Sequence, residues 1–132
     1  MLINSFEDLN VLVVEQDSTI RNSLCEYFNR MSVHSVIETE SLKRANYLLG
    51  NSRINLVTFH SNNEHMSSLE FVHNIKQKHN MEVFLLLITS NGNRDAIFSF
   101  IDLGVSYVIL KPVSYEILEE VVLKIIRQSS FI

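Results

Sequence analysis

Cysteine is almost missing: a single residue, Cys25, in a chain of 132. That excludes an internal disulfide framework and any cysteine-based zinc site. Tryptophan is absent, proline occurs once and glycine three times, and no linker, internal repeat or low-complexity segment stands out. No apolar run approaches the roughly 20 residues that a membrane-spanning helix needs. Residues 1–9 lack a basic start followed by an apolar segment, so no secretory signal is expected. Positive charge is sparse as well. Lys plus Arg number 11 against 15 for Asp plus Glu, a formal charge of −4 with His neutral. With no basic block, nucleic-acid binding by this domain alone is not expected, and a cytoplasmic protein is the default. What is there fits a globular domain: 46% of residues are hydrophobic and 20% charged, and the length suits one domain with a real core but not two.

The chain is organised around Ile54 to Phe71, I-N-L-V-T-F-H-S-N-N-E-H-M-S-S-L-E-F. An apolar run breaks at His60 into polar residues, and an apolar pattern restarts at Leu69. This reads as a buried strand, a loop at its carboxyl end, and a helix. The same alternation repeats along the chain. Residues 1–9 form a polar, irregular lead-in. Asn10 to Val14 is a strand covered on both faces. Asp17 or Ser18 caps a helix whose stripe is Ile20, Leu24, Phe28 and Met31, with Cys25 as core filler beside it. Val33 to Ile37 is a short second strand. Glu40 or Ser41 starts a helix with Leu42, Ala45, Leu48 and Leu49 inward, closed by Gly50 as a left-handed cap.

Ile54 to Phe59 is the third strand. Ser67 or Ser68 opens a helix with Leu69, Val72 and Ile75 on one face. Val83 to Ile88, the most apolar run, is expected central or near-central in the sheet. Ala96, Ile97, Phe100 and Ile101 make the next helical stripe, ended by Gly104. Val105 to Leu110 is a fifth strand stopped by Lys111-Pro112. Ser114 caps a last helix with Leu118, Val121, Val122, Ile125 and Ile126 as its apolar face. Five strand–helix repeats imply an α/β fold, a doubly wound five-stranded parallel sheet between two helical layers. In such sheets ligands and chemistry gather at the carboxyl ends of the strands.

Five fragments carry a resemblance: V-L-V-V-E-Q-D-S-T-I-R after the first strand, L-V-T-F-H-S-N after the third, L-E-F entering the third helix, L-I-T-S after the fourth strand, and G-V-S-Y-V-I-L-K-P at the fifth. In this order and spacing the chain resembles the receiver domain of bacterial two-component response regulators, the CheY-like, flavodoxin-like fold, over roughly residues 10 to 127. The resemblance implies a receiver-like domain at 10–128, with 129–132 as a tail or the start of a linker, free-standing or leading a longer regulator. It implies a signalling module rather than an enzyme, one that takes a phosphoryl group from a histidine kinase onto its own aspartate.

The match also implies where this chain departs. The family's acceptor aspartate falls on His60. Its acidic pair falls on Glu15 and Gln16, its hydroxyl on Thr89 and its lysine on Lys111. Its aromatic switch residue falls on Val108. The usual M-P-x-M-D-G loop is replaced by Asn63-Glu64-His65-Met66-Ser67-Ser68. An acyl phosphate needs a carboxylate nucleophile beside Mg²⁺, and Mg²⁺ wants hard oxygen ligands. At the matched positions only Glu15 is a carboxylate. The expectation is a degenerate receiver that works by protein contact, with no cofactor or metal and with Glu15, Gln16, His60, Thr89 and Lys111 as the remnant of a phosphorylation pocket. Lys111 is expected to pair with Glu15 or Asp17, and the Lys111–Pro112 bond, as is common in the family, to be cis.

Two alternatives stay open. Asp17, or His60 itself, could accept phosphoryl, though His60 also reads as a neutral hydrogen-bonded filler and Asp17 as a helix cap. Glu15, His60 and His65, with Glu64, could line a small metal- or ligand-binding pocket, though nothing in their spacing aligns them. His34, His73 and His79 carry no signal. For partners, a histidine kinase, an effector or a second copy is expected at the fourth helix, fifth strand and fifth helix. There Phe98, Tyr107, Ile117 and Val108 lie beyond the core stripes.

Overall fold

In the computed structural model the described residues are 3–50, 53–61, 67–79 and 83–130. Five strands, β1 (Asn10–Val14), β2 (Ser35–Thr39), β3 (Leu56–His60), β4 (Phe84–Thr89) and β5 (Tyr107–Leu110), alternate with five helices. These are α1 (Ser18–Arg30), α2 (Leu42–Leu49), α3 (Ser68–His79), α4 (Arg94–Leu103) and α5 (Tyr115–Ser130). All strand pairs are parallel, in the order β2-β1-β3-β4-β5. β3 is therefore central, with β1 and β4 on either side.

The apolar strands feed two cores because successive side chains leave a strand on opposite faces. Val11, Val13, Leu56, Leu86, Ile88 and Ile109 pack under α1 and α5, against Leu24, Phe28, Leu118, Val122 and Ile125. Leu12, Val14, Val57, Phe59, Leu85 and Leu87 pack on the other side against α2, α3 and α4. Phe59 is at the centre of that layer, with its ring 5.5 Å from Phe71 and 6.1 Å from Phe100.

Several local expectations change. The lead-in is part of the fold: Phe6–Asp8 form a 3-10 turn, Ile3 and Leu9 are buried, and the Ile3 N–H donates to Ser129 Oγ at 3.0 Å. β2 runs two residues later than its apolar content indicates, because it is registered on β1, with Val11 facing Val36. Gly50 is not a left-handed cap. Its φ is −73°, and its N–H bonds to the Tyr47 carbonyl, so α2 ends by tightening its last turn. Gly104 does adopt the left-handed conformation, φ +109°, at the end of α4. Leu69 is exposed rather than inward. The buried stripe of α3 is Ser68, Phe71, Val72 and Ile75: Val72 and Ile75 lie inward as expected, and Ser68 and Phe71 complete the face instead of Leu69. Ile101 is also exposed, while Phe100 is buried and Leu103, one turn on, packs against the core.

Candidate functional site

β1, β3, β4 and β5 are neighbours in a parallel sheet, so their carboxyl ends open onto one rim. Glu15, His60, Thr89 and Lys111 all sit there, at the last residue of a strand or the one after it. Glu15 is buried, and both of its oxygens are engaged. Oε1 lies 2.9 Å from Lys111 Nζ, and Oε2 accepts the Asp17 N–H at 3.0 Å. Lys111 is positioned by its own backbone, whose N–H donates to the Thr89 carbonyl at 2.9 Å, and its bond to Pro112 is cis. The expected pairing of Lys111 with Glu15 is thus present.

His60 closes β3 with 6% of its surface exposed. Its Nδ1 is 3.2 Å from the Val14 carbonyl oxygen. A carbonyl only accepts, so Nδ1 carries the hydrogen. The His60 carbonyl in turn accepts from Ser68 Oγ at 2.8 Å. This bond explains the phase of α3: a serine takes an inward slot because it has a strand-end carbonyl to satisfy. Thr89 is also buried, and its Oγ1 accepts the Asn91 N–H at 3.1 Å, shaping the turn after β4. Gln16 points into solvent. Asp17 caps α1, with Oδ1 accepting from Thr19 N–H at 2.9 Å and Ile20 N–H at 3.1 Å.

Arg21 was not foreseen as a rim residue. Its Nη1 donates to the Glu15 and Gln16 carbonyls at 2.8 and 3.3 Å, and its Nε pairs with Glu38 at 3.3 Å. The signal available in the sequence was only its place one turn into α1. Glu38 also accepts from Cys25 Sγ at 3.2 Å. Burial, that hydrogen bond and the Glu38 charge push the thiol up to about 12.

The structure brings Glu15 and Lys111 together and leaves Gln16 outside. Glu64 and His65, proposed with Glu15 and His60 as metal ligands, lie outside the described residues. Among the described residues no group of three or more His, Cys, Asp or Glu is placed to hold a metal ion, and no helix is long and apolar enough to cross a membrane. On α4, α5 and the end of the edge strand β5, Phe98 and Ile117 are exposed, as are Ile101 and Leu110. Tyr107 and Val108 are half-buried, Tyr107 against the α1/α5 core and Val108 against the opposite one.

A model of the response regulator receiver domain family matches residues 11–123. Chemotaxis protein CheY homologs of Campylobacter jejuni are 24% identical over 114 residues, covering 85% of this chain and 88% of theirs. Among solved structures, an orphan response regulator of H. pylori superposes with a TM-score of 0.81 at 24% identity, covering 92% of this chain and 98% of that one. A response regulator receiver protein from Pseudomonas putida gives 0.80 at 22% identity, covering 89% and 97%. At these identities the solved structures share the fold.

Proposed function

The chain belongs to the response regulator receiver domain family, a part of two-component signalling, and from that premise we propose that it is a degenerate receiver, signalling by protein contact without taking a phosphoryl group at the family's usual position. The observation that carries this reading is His60 at the carboxyl end of β3, buried, with Nδ1 bound to the Val14 carbonyl. An imidazole held by a backbone carbonyl is not the carboxylate that acyl-phosphate chemistry requires.

The surroundings support the same reading. Mg²⁺, implied by the family, needs several oxygen ligands, usually including one or two carboxylates. The residues here do not fit it. Glu15 is the one acidic side chain of the matched pair, and its two oxygens already serve Lys111 and the Asp17 N–H. Gln16 is neutral and exposed. Asp17, the displaced acceptor of the alternative reading, has Oδ1 bonded to two N–H groups of α1, the work of a helix cap. A carboxylate so placed stabilises the first turn of α1.

Output by contact has a surface available to it. Phe98 on α4, Leu110 at the end of β5 and Ile117 on α5 expose 49%, 52% and 45% of their area, enough for a partner protein or a second copy to bury. Val108 stands at the position of the family's aromatic switch, half-buried against the core, so that position has no ring to swing in response to the rim. Incubation with acetyl phosphate and Mg²⁺ followed by intact-mass measurement tests the proposal. The unmodified mass is expected. A species heavier by one phosphoryl group would overturn it, and peptide mapping would then say whether Asp17 or His60 carries the group.

A further inference from the structure

We propose that Asn91 is a site of spontaneous modification: the Gly92 nitrogen closes on its side chain to form a succinimide, which water opens to aspartate and isoaspartate. Asn91-Gly92 is the one Asn-Gly pair in the sequence. It lies in the connection from β4 to α4, and both residues are exposed. Glycine often serves where the backbone needs a left-handed residue. Gly92 has no such φ, and a Cβ added to it would meet only side-chain carbons of Leu110 at 3.9 Å, an ordinary contact. The fold therefore admits a side chain at 92. What the missing side chain leaves is an unshielded nitrogen next to an amide carbon.

The hydrogen bonds of the loop favour the attack. Asn91 Oδ1 accepts the Asn93 N–H at 2.9 Å, an Asx turn. That bond draws the side chain forward over the Gly92 peptide. It also polarises the Cγ–Oδ1 bond and is in place to stabilise the charge that collects on Oδ1 as nitrogen adds. The Asn91 N–H is itself held by Thr89 Oγ1 at 3.1 Å. The Gly92 N–H finds no acceptor among the described residues, so its proton passes to water with no protein bond to break. The step balances with water as the only co-reactant. Nitrogen bonds to Cγ, and Nδ2 takes a proton and leaves as ammonia. Water then splits the ring: breaking the new N–Cγ bond leaves aspartate, and breaking the bond from nitrogen to the main-chain carbonyl leaves isoaspartate.

Either product carries a negative charge in place of a neutral amide. Asn91 lines a small hollow at the rim with Ser61, Thr89 and Ala96, so the charge falls beside the strand ends. It also falls just before α4, whose cap is Asn93 Oδ1 on the Ala96 N–H at 3.0 Å. Negative charge near the amino end of a helix is stabilising, so the aspartate form is compatible with the fold. The change is one-way and uses no phosphoryl donor, and it does not rest on the proposed function.

Incubation of the purified chain at physiological pH and temperature, followed over time by intact mass and by peptide mapping that resolves isoaspartate, tests the site. A gain of about 1 Da is expected, the exchange of NH₂ for OH, located at Asn91 and present as both isoaspartate and aspartate. Gly92→Ala should slow it at least about ten-fold, a barrier about 1.4 kcal/mol higher, with the fold kept by circular dichroism. The chain unfolded in urea should react within a few-fold of the native rate, because the native loop already leaves the nitrogen open. A native chain that stays unmodified while the unfolded one reacts would overturn the proposal. So would a gain located at another asparagine, aspartate with no isoaspartate, or an unchanged rate in Gly92→Ala. No phosphoryl donor is present, so this outcome and that of the acetyl phosphate measurement are independent.

Discussion

Removing either partner of the Glu15–Lys111 pair has unequal consequences. The Glu15 side chain is the deeper member, 4% exposed against 23% for Lys111. In Lys111→Met the carboxylate keeps the Asp17 N–H bond but loses its counter-charge, with little solvent to take its place. Breaking a buried pair costs roughly 3–5 kcal/mol. The retained bond and the partial exposure of the lysine end reduce this to about 2–3 kcal/mol. In Glu15→Gln the ammonium turns to water along its flexible stem, and the amide oxygen can still accept from Asp17, so the loss is about 1 kcal/mol. The double variant leaves no charge stranded and should lose about 1–2 kcal/mol less than the sum of the single changes. Urea denaturation of the four proteins at neutral pH, with unchanged slopes, measures each value. If Glu15→Gln costs as much as Lys111→Met, or if the single losses simply add, the rim is not organised by this pair.

Three further outcomes follow from individual contacts. Thr58 is fully buried and its hydroxyl has no partner among the described residues; Thr58→Val should gain about 1 kcal/mol, read as a higher thermal midpoint, and a loss would mean the hydroxyl is bonded. Gly104→Ala should lose about 1–2 kcal/mol, because φ is +109° and the added Cβ would lie 2.7 Å from Lys76 Cε. Adding Lys76→Ala should relieve the contact but not the backbone strain, and full recovery in a denaturation curve would contradict that division. The Cys25 thiol is pushed from 9.0 to about 12, so the folded chain holds this proton more tightly than the unfolded one. Its contribution to stability is complete below pH 9.0 and is lost as pH rises from there to about 12. Maleimide at mildly alkaline pH should label Cys25 only when denaturant is present; rapid labelling of the native protein would refute the burial.

The order of strands and helices could be read from the chain because each strand is a short buried run and each helix carries its own stripe and cap. The caps were legible to within one residue, Asp17 or Ser18 and Glu40 or Ser41, and the structure takes Asp17 and Ser41. Where the reading slipped, a long-range partner decided the outcome. Ser68 faces inward because the His60 carbonyl is there to receive it, and that turns Leu69 outward. β2 follows its register on β1 rather than its own apolar content. Asn55 was counted within the third strand, with no sign of a long-range role. It is buried, with Oδ1 accepting the Asn10 N–H at 2.8 Å and Nδ2 donating to the Asp8 carbonyl at 2.9 Å, so it clamps the amino end of the sheet.

At the rim, the partner of Lys111 was legible to within two acids, Glu15 or Asp17, although β3 and β4 lie between β1 and β5 in the sheet. Arg21 was not, since its acceptors are backbone carbonyls that no sequence pattern announces. The inward stripe of α4 could not be resolved from spacing, because Ile101 falls beside the Phe100 face and turns outward, while Leu103, one turn on from Phe100, packs against the core just before Gly104 ends the helix.

The most direct measurement is amide NMR of the native chain titrated with Mg²⁺ and then with beryllofluoride, a mimic of a bound phosphoryl group. No saturable change is expected at Glu15, Ser61, Thr89 or Lys111 at millimolar Mg²⁺, with or without the mimic. Saturable shifts centred on those four amides would mean that the rim still holds the metal and the phosphoryl group, and that His60 has not closed the site.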